Sequence, residues 1–315
     1  MSRFQALAEP SRFRILALLT VMELAVGELA QVLGQSQPRV SHHVRVLDEA
    51  GLVERRKEGS FVYLALSDGA EAQALFDLAA RWLDDDSAQQ LRIDANRLDA
   101  IRDARAEAAR RYFEQHARTW ADIRSLHVEE SAIERGIEQA LAGEELGTLL
   151  DIGTGTGRML ELFADRADAA IGVDRSSDML RLARVKLDDA GVTGASLRQG
   201  DMYALPMGEE SVETIILHQV LHYAQSPGMA IAEAARVLKP DGRLLVIDFA
   251  AHDRAELRER DAHLRLGFAD DAMRGWFRAA GLELDLIDRL EGGELTVILW
   301  RGRKGAVDPE RQVAA

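Results

Sequence analysis

The feature that most restricts how this chain can fold is a glycine turn, Gly153-Thr154-Gly155-Thr156-Gly157, set directly after the short apolar run 146–152 with its Asp151. Such a turn at the carboxyl end of a first parallel strand, opening a helix from about Arg158, lets a ligand lie against bare backbone. The segments after it keep to that plan. Ala170-Ile171-Gly172-Val173 ends in Asp174, Ser196-Leu197-Arg198 leads to Gly200-Asp201-Met202, and strands 212–217 and 243–249 follow, the last after Lys239-Pro240-Asp241-Gly242. Helical stretches separate these strands, which predicts a mostly parallel sheet with helices on both faces. Segments 282–289 and 295–300, joined by Glu291-Gly292-Gly293-Glu294, read as a hairpin, so the last strand enters antiparallel.

The spacing narrows the ligand. It is G-x-G-x-G, whereas a dinucleotide fingerprint needs G-x-G-x-x-G and position 158 is Arg. No G-x-x-x-x-G-K-[ST] run for nucleoside triphosphates is present. Asp174, 17 residues past Gly157, is placed to accept two hydrogen bonds from a ribose diol or, more simply, to cap the next helix.

At 315 residues the chain is long enough for two domains with separate cores. Its net charge of -14 is unevenly spread: residues 1–66 carry 8 Lys/Arg against 7 Asp/Glu, a net +1, which leaves -15 for the rest. A polyanion is therefore drawn to one end only, while acidity elsewhere keeps the larger domain in solution. The apolar content of 47% is too high for a disordered chain. The lack of cysteine excludes a disulfide scaffold, a thiolate zinc site and a thiol nucleophile. The best apolar run, 15–22, lies between Arg14 and Glu23 and falls well short of the roughly 18 residues of a membrane span. Arg12 and Arg14 stand where a signal peptide needs its apolar region. The expectation is a soluble cytoplasmic protein with no membrane partner.

Near the N-terminus, Val26, Leu29, Ala30 and Leu33 recur at helical spacing and Gly34 stops the helix. Ser36 is a good N-cap, Pro38 sits in the first turn, and a second helix runs to about Ala50 before Gly51 closes it. On that helix Val40, Val44 and Leu47 face the core, which turns Arg39, Ser41, His42 and Arg45 outward with Gln37 beside them. These five are the candidate readers of a major groove. His43, near the apolar side, is expected to be packed. Segments 52–57 and 61–64, joined at Glu58-Gly59-Ser60, read as a hairpin whose Arg55, Arg56 and Lys57 form a wing suited to phosphates. A charge cluster alone is usually a solvated face; helix, turn, helix, glycine and basic hairpin in that order point to DNA.

Leu7-Ala8-Glu9-Pro10-Ser11-Arg12-Phe13-Arg14-Ile15-Leu16, Gln37-Pro38-Arg39-Val40-Ser41-His42-His43-Val44-Arg45-Val46-Leu47 and Ala50-Gly51-Leu52-Val53 resemble the ArsR/SmtB family of bacterial transcriptional repressors over about the first 80 residues. The resemblance implies a homodimer that binds palindromic double-stranded operator DNA and releases it when an effector binds. Many members sense metals through cysteines in the helix before the turn. Here that stretch reads Glu23-Leu24-Ala25-Val26-Gly27-Glu28-Leu29, so no metal site is expected.

In 70–83 the residues Leu75, Leu78, Ala79, Trp82 and Leu83 form one helical stripe, available either for dimerisation, which paired half-sites favour, or for packing on the winged helix itself. Asp84-Asp85-Asp86 then marks a boundary. Segment 89–115 has no Pro or Gly and carries Leu91, Leu98, Ile101, Ala108 and Tyr112 on one side, so it reads as a long helix that is a transmitter between domains or a passive spacer. The expected organisation is a winged-helix and dimerisation domain at 1–86, a helical connector or lid at 87–120, a second domain at 121–301 and a flexible tail at 302–315.

Leu149-Leu150-Asp151-Ile152-Gly153-Thr154-Gly155-Thr156-Gly157, Gly172-Val173-Asp174, Gly200-Asp201-Met202 and Leu238-Lys239-Pro240-Asp241-Gly242-Arg243-Leu244 resemble, in order, the class I S-adenosylmethionine-dependent methyltransferases over about residues 110–301. The resemblance implies an α/β chain in which a winged helix-turn-helix precedes a Rossmann-like seven-stranded domain. It also implies S-adenosylmethionine as cofactor, with S-adenosylhomocysteine as product or effector. In its terms the turn Gly153, Thr154, Gly155 and Gly157 faces the methionine part, Asp151 lies near the ammonium, and Asp174 holds the ribose. Asp201 faces the adenine amine and Met202 lies along the ring, unless Met202 is simply core. Arg175 and His218 complete the candidate cofactor-binding set.

Methyl transfer from a sulfonium is an in-line displacement, so the protein chiefly positions the acceptor and removes its proton. The loop after the fourth strand offers His218, Gln219, His222 and Tyr223. His218 and His222 are the candidate catalytic residues, each a base or a packed imidazole; as a metal pair they lack a third ligand. Arg111-Tyr112-Phe113 and Trp120 precede the first strand, as lid or as core aromatics. Arsenite methylation is set aside because the enzymes that perform it hold arsenic with cysteines. Two functions remain: a regulator whose second domain methylates a small molecule, or a non-catalytic sensor in which S-adenosylhomocysteine or S-adenosylmethionine controls repression of methionine-cycle genes.

Overall fold

A computed structural model of the chain describes residues 3–58, 61–67, 69–81, 83–124, 129–254, 264–292 and 295–305. It divides into two compact units, Met1–Arg111 and Tyr112–Ala315. Gly59, Ser60, Trp82, Gly293 and Glu294, and the side chains of Arg111, Tyr112, Phe113 and Trp120, lie outside the described residues. No described helix is long and apolar enough to cross a membrane.

In the first unit α1 (Arg3–Leu7), α2 (Pro10–Leu19), β1 (Leu24–Ala25), α3 (Val26–Leu33), α4 (Gln37–Glu49), β2 (Val53–Glu58) and β3 (Phe61–Leu66) are followed by α5 (Gly69–Ala80) and α6 (Asp85–Arg124). Glu9 caps α2 by accepting the Arg12 N–H at 2.8 Å. Gly34 and Gly51 end α3 and α4 with φ of +65° and +66°, the left-handed backbone that glycine adopts freely. Ser36 occupies the N-cap of α4, although its hydroxyl makes no cap hydrogen bond. The two wing strands gain a third that the pattern does not reveal. Leu24 and Ala25 pair with Leu64 and Tyr63, giving the order β1-β3-β2.

Part of the stripe on α5 packs on the winged helix itself. Leu75, Ala79 and Leu83, together with Phe76, pack on the winged-helix core, and Phe76 stacks on Phe13 at 5.0 Å. Leu78 stays exposed.

The connector expected at 87–120 is not separate from the first domain. Leu98 is buried in the winged-helix core, with Leu91 and Ile101 against it, while Ala108 is exposed. Asp94, 1% exposed, receives the Arg14 guanidinium at 2.6 and 2.7 Å. Arg97 donates to the Val32 carbonyl at 3.0 Å. Arg105 grips Glu28 at 2.8 and 2.7 Å and the Glu23 carbonyl at 3.1 Å. Both ends of α3 are thus fastened to α6, and the division of the chain falls inside that helix.

The second unit is built from α7 (Glu130–Ala140), β4 (Thr148–Ile152), α8 (Arg158–Phe163), β5 (Ala169–Asp174), α9 (Ser177–Asp189), β6 (Ala195–Gln199), β7 (Val212–His218), α10 (Pro227–Val237), β8 (Leu238–Phe249), α11 (Asp270–Ala279), β9 (Leu282–Leu290) and β10 (Val297–Lys304). The sheet runs β6-β5-β4-β7-β8-β10-β9. β4 pairs parallel with both β5 and β7, and β10 lies antiparallel to both β8 and β9, as the hairpin predicts. Strand order reverses between β4 and β7, and in such sheets the ligand crevice opens at the carboxyl ends beside that switch. Two expectations need correction. β8 starts at Leu238, ahead of the Lys239-Pro240-Asp241-Gly242 turn, and β10 runs to Lys304, three residues into the stretch expected as tail, because Gly302, Arg303 and Lys304 stay paired with β9.

Candidate functional site

The glycine turn caps β4 at the switch point. Gly153, Gly155 and Gly157 have φ of +73°, +53° and +82°, so no other residue would hold this path without strain. A side chain on Gly153 would run into Val220, which follows β7, whereas a Cβ on Gly155 would meet nothing nearer than the Gly153 carbonyl at 3.9 Å. The turn is therefore packed on one side and bare on the other.

Its amides are already engaged. Gly153 and Thr154 donate to the Val173 carbonyl at 2.7 and 3.0 Å, Gly157 to the Thr154 carbonyl at 2.8 Å, and Gly155 to Asp174 Oδ2 at 2.9 Å. A loop that binds phosphate works the opposite way, offering these N–H groups to the anion. Of the two cations at the turn, Arg158 is held by Glu134 and Glu161 at 2.6 and 2.9 Å, and Lys186 donates to the Thr156 hydroxyl at 3.2 Å. With Asp151, Asp174 and Asp201 ranged along the same strand ends, the cradle suits a ligand that is cationic at this end and repels a pyrophosphate.

Asp151 is 1% exposed, and its Oδ2 and the Thr154 Oγ1 are buried with no hydrogen-bond partner. Burial, aided by the Asp174 charge, pushes the Asp151 carboxyl up to about 7. A ligand ammonium would reverse that cost by pairing with it. Asp174 does not cap α9; Ser176 does, accepting the Met179 N–H at 3.3 Å, while Asp174 Oδ1 accepts the Ser176 N–H at 2.7 Å. Each Asp174 oxygen thus keeps acceptor capacity for a diol. Asp201 is exposed and accepts the Tyr203 N–H at 3.0 Å, Arg175 is exposed, and Met202 is half-buried against the core.

The two histidines part company. His218 is the last residue of β7 and half-buried at the switch point. His222, expected as a catalytic candidate, is 2% exposed, bonds Asp248 Oδ1 through Nδ1 at 2.8 Å and packs on Tyr223 and Phe249. Asp248 is wholly buried and also accepts the His222 backbone N–H at 3.2 Å. The sequence reading passed over Asp248, although a lone acid inside the apolar run 244–249 signals a buried partner.

On the first unit Gln37, Arg39, Ser41, His42 and Arg45 are all exposed on α4, and His43 is buried 3.5 Å from Glu9. The wing divides by strand alternation. Arg55 and Lys57 are exposed, whereas Arg56 is withdrawn, bound to Glu23 and, at 3.0 Å, to Glu54. Arg55 also meets Asp48, at 3.7 Å, but remains exposed, so of the three wing cations it is Arg56 that is withdrawn from the surface.

Residues 9–55 match the family described as bacterial regulatory protein, arsR family, and residues 150–246 match the family described as methyltransferase domain. The chain is 32% identical over 134 residues to the uncharacterized methyltransferase YcgJ of Bacillus subtilis, covering 39% of this chain and 53% of that protein. It is 35% identical over 136 residues to a malonyl-[acyl-carrier protein] O-methyltransferase of Methylococcus capsulatus, covering 41% and 49%. The chain spans about half the length of these relatives. Among solved structures, a protein of Bacillus halodurans assigned as a methyltransferase matches with a TM-score of 0.50 at 20% identity, over 55% of this chain and 99% of that one, a likeness of fold.

Proposed function

We propose that this chain, in which an ArsR-type helix-turn-helix is joined to a methyltransferase domain, is a regulator that binds double-stranded operator DNA and uses S-adenosylmethionine to methylate a small molecule. The observation that carries the cofactor reading is the turn at Gly155: open backbone, amides of Gly153, Thr154, Gly155 and Gly157 already bonded, and the carboxylates of Asp151 and Asp174 beside it. When bound, S-adenosylmethionine supplies an electrophilic methyl group on a cationic sulfur. The residues assigned to hold it are Gly153, Thr154, Gly155 and Gly157 at the turn, Asp151 for the ammonium, Asp174 for the ribose and Asp201 with Met202 for the adenine. Arg175 stays at the rim.

His218, at the tip of β7, is assigned to the acceptor, taking up the proton that leaves as the acceptor is methylated. His222 is assigned a positioning role. Its bonds to Asp248 and its ring contacts fix the turn that carries His218 and Val220 over the glycine loop. On the first unit, α4 offers Gln37, Arg39, Ser41, His42 and Arg45 to base edges, and Arg55 and Lys57 to phosphates. A homodimer in the cytoplasm, set on paired half-sites, completes the reading.

Calorimetric titration of the full chain with S-adenosylmethionine and S-adenosylhomocysteine, beside DNA gel shifts and mass analysis of offered acceptors, tests it. Binding of both ligands with methylated product is expected. Absence of heat with either ligand removes the cofactor reading. Ligand-dependent DNA release with no turnover on any acceptor transfers the pocket to sensing.

A further inference from the structure

Gln219 follows the last residue of β7 and has a φ of +51°, one of the few non-glycine residues in the left-handed region. Its backbone N–H is drawn to the Ile247 carbonyl at 2.7 Å. Such a conformation is kept when the surroundings over-determine it, and it gathers at functional sites. Leu217 pairs with Ile152 at the ends of β7 and β4, and just beyond, Val220, the residue after Gln219, folds onto Gly153 of the glycine turn. The Gln219 Nε2 is buried there without a hydrogen-bond partner. A buried donor left unpaired by the fold is costly enough to call for a partner.

The chemistry of the cradle says which partner. An α-amino-acid end carries an ammonium and a carboxylate. Asp151 is an acceptor for the first. For the second, four of the turn's amides, those of Gly153, Thr154, Gly155 and Gly157, are engaged, Arg158 is locked between two glutamates, and the Lys186 ammonium is spent on the Thr156 hydroxyl at 3.2 Å. A neutral amide donor next to the residue that covers Gly153 meets the need without placing a further cation beside Asp151. Resting on the cofactor reading above, we infer that the Gln219 side chain is the donor that binds the carboxylate of the cofactor's amino-acid end, and so the residue by which this pocket tells an adenosylated amino acid from a shorter adenosyl thioether.

The test compares two probes on the full-length chain by calorimetry: S-adenosylhomocysteine, and 5′-methylthioadenosine, which keeps the adenosyl thioether and lacks the amino-acid end. In Gln219→Leu, affinity for S-adenosylhomocysteine is expected to fall about tenfold or more, the size of a lost hydrogen bond to a charged group, while 5′-methylthioadenosine changes by less than about twofold. Gln219→Gly relieves the backbone and is expected to raise the melting temperature while losing the same selectivity, a pairing that a merely structural glutamine does not give. Equal weakening of both probes, or no change in either, overturns the assignment. Wild-type protein that binds neither probe overturns the cofactor reading itself, a different result from wild-type binding with unaltered selectivity in the variants.

Discussion

The seam between α3 and α6 in the first unit and the glycine-turn site in the second treat their buried carboxylates differently. In the winged helix, Asp94 takes Arg14 and Gln90, and Glu28 takes both the Ala25 amide and Arg105, so these acids hold one helix to another. In the second unit, Asp151 Oδ2, eased only by the nearby Thr154 hydroxyl, and Gln219 Nε2 are buried at the carboxyl edge of the sheet. The first arrangement is explained by folding alone. The second costs folding free energy, which the proposed cofactor would offset by pairing with these groups.

The contrast is sharpest in pH dependence, and Asp151 carries the largest effect. Its folded-state value of about 7 lies above the ordinary 3.8, so the folded domain keeps a proton that the unfolded chain has lost. Stability therefore falls as pH rises from about 4 to about 7, by about 1.4 kcal/mol per pH unit, and levels off above. Asp151→Asn is expected to stabilise the second unit by about 4 kcal/mol at pH 8 and by almost nothing at pH 4. Denaturant unfolding at the two pH values checks this, and the variant should also lose the cofactor. In the first unit the slope has the opposite sign. Burial lowers the His43 pKa in spite of Glu9, so its contribution is complete above the usual histidine range and is lost as pH falls through it.

Next in size is the fastening of α6. Asp94→Ala leaves the Arg14 guanidinium partly buried beside Gln90 with no carboxylate, and is expected to cost the first unit about 2–3 kcal/mol while leaving cofactor affinity unchanged. Calorimetry of the variant, with and without S-adenosylhomocysteine, separates the two effects. An affinity that falls with Asp94→Ala would mean that the units are coupled through α6. Asp174→Ala reverses the pattern. It frees the Gly155 amide and removes the ribose acceptor, and is expected to weaken cofactor binding by about 1–3 kcal/mol with no effect on the Asp94 transition. Unchanged titration heats in that variant would place the ribose elsewhere.

How far each unit could be read beforehand follows from the range of its interactions. The helix-turn-helix is local: Gly34, Gly51 and the Val40, Val44, Leu47 stripe are settled within a few residues, and the structure keeps them as predicted. The glycine turn and the strand ends are local in the same sense. What escaped were partners far apart in sequence, such as Arg14 with Asp94 and His222 with Asp248, since nothing in a stretch of ten residues announces a contact eighty or twenty-six positions away. The long helix showed its apolar stripe but not that Arg97 and Arg105 would reach α3, because long cationic side chains look alike whether they end in water or on a carbonyl. β1, two residues long, carries too little pattern to be seen at all.

The smallest expected effect separates three adjacent cations that composition treats as equal. Arg55 and Lys57 are exposed, whereas Arg56 is already neutralised by Glu23 and Glu54. Binding to a short duplex of arbitrary sequence should weaken with salt, and the slope of log affinity against log salt counts the phosphates that protein cations neutralise. Arg55→Ala and Lys57→Ala are each expected to lower that slope by about 1. Arg56→Ala should leave the slope where it is and instead lower the melting temperature of the first unit, because the ion pairs of Arg56 with Glu23 and Glu54 are lost. A slope that drops for Arg56→Ala as much as for its neighbours would mean that the ion pairs with Glu23 and Glu54 open on DNA, and that the wing uses all three charges.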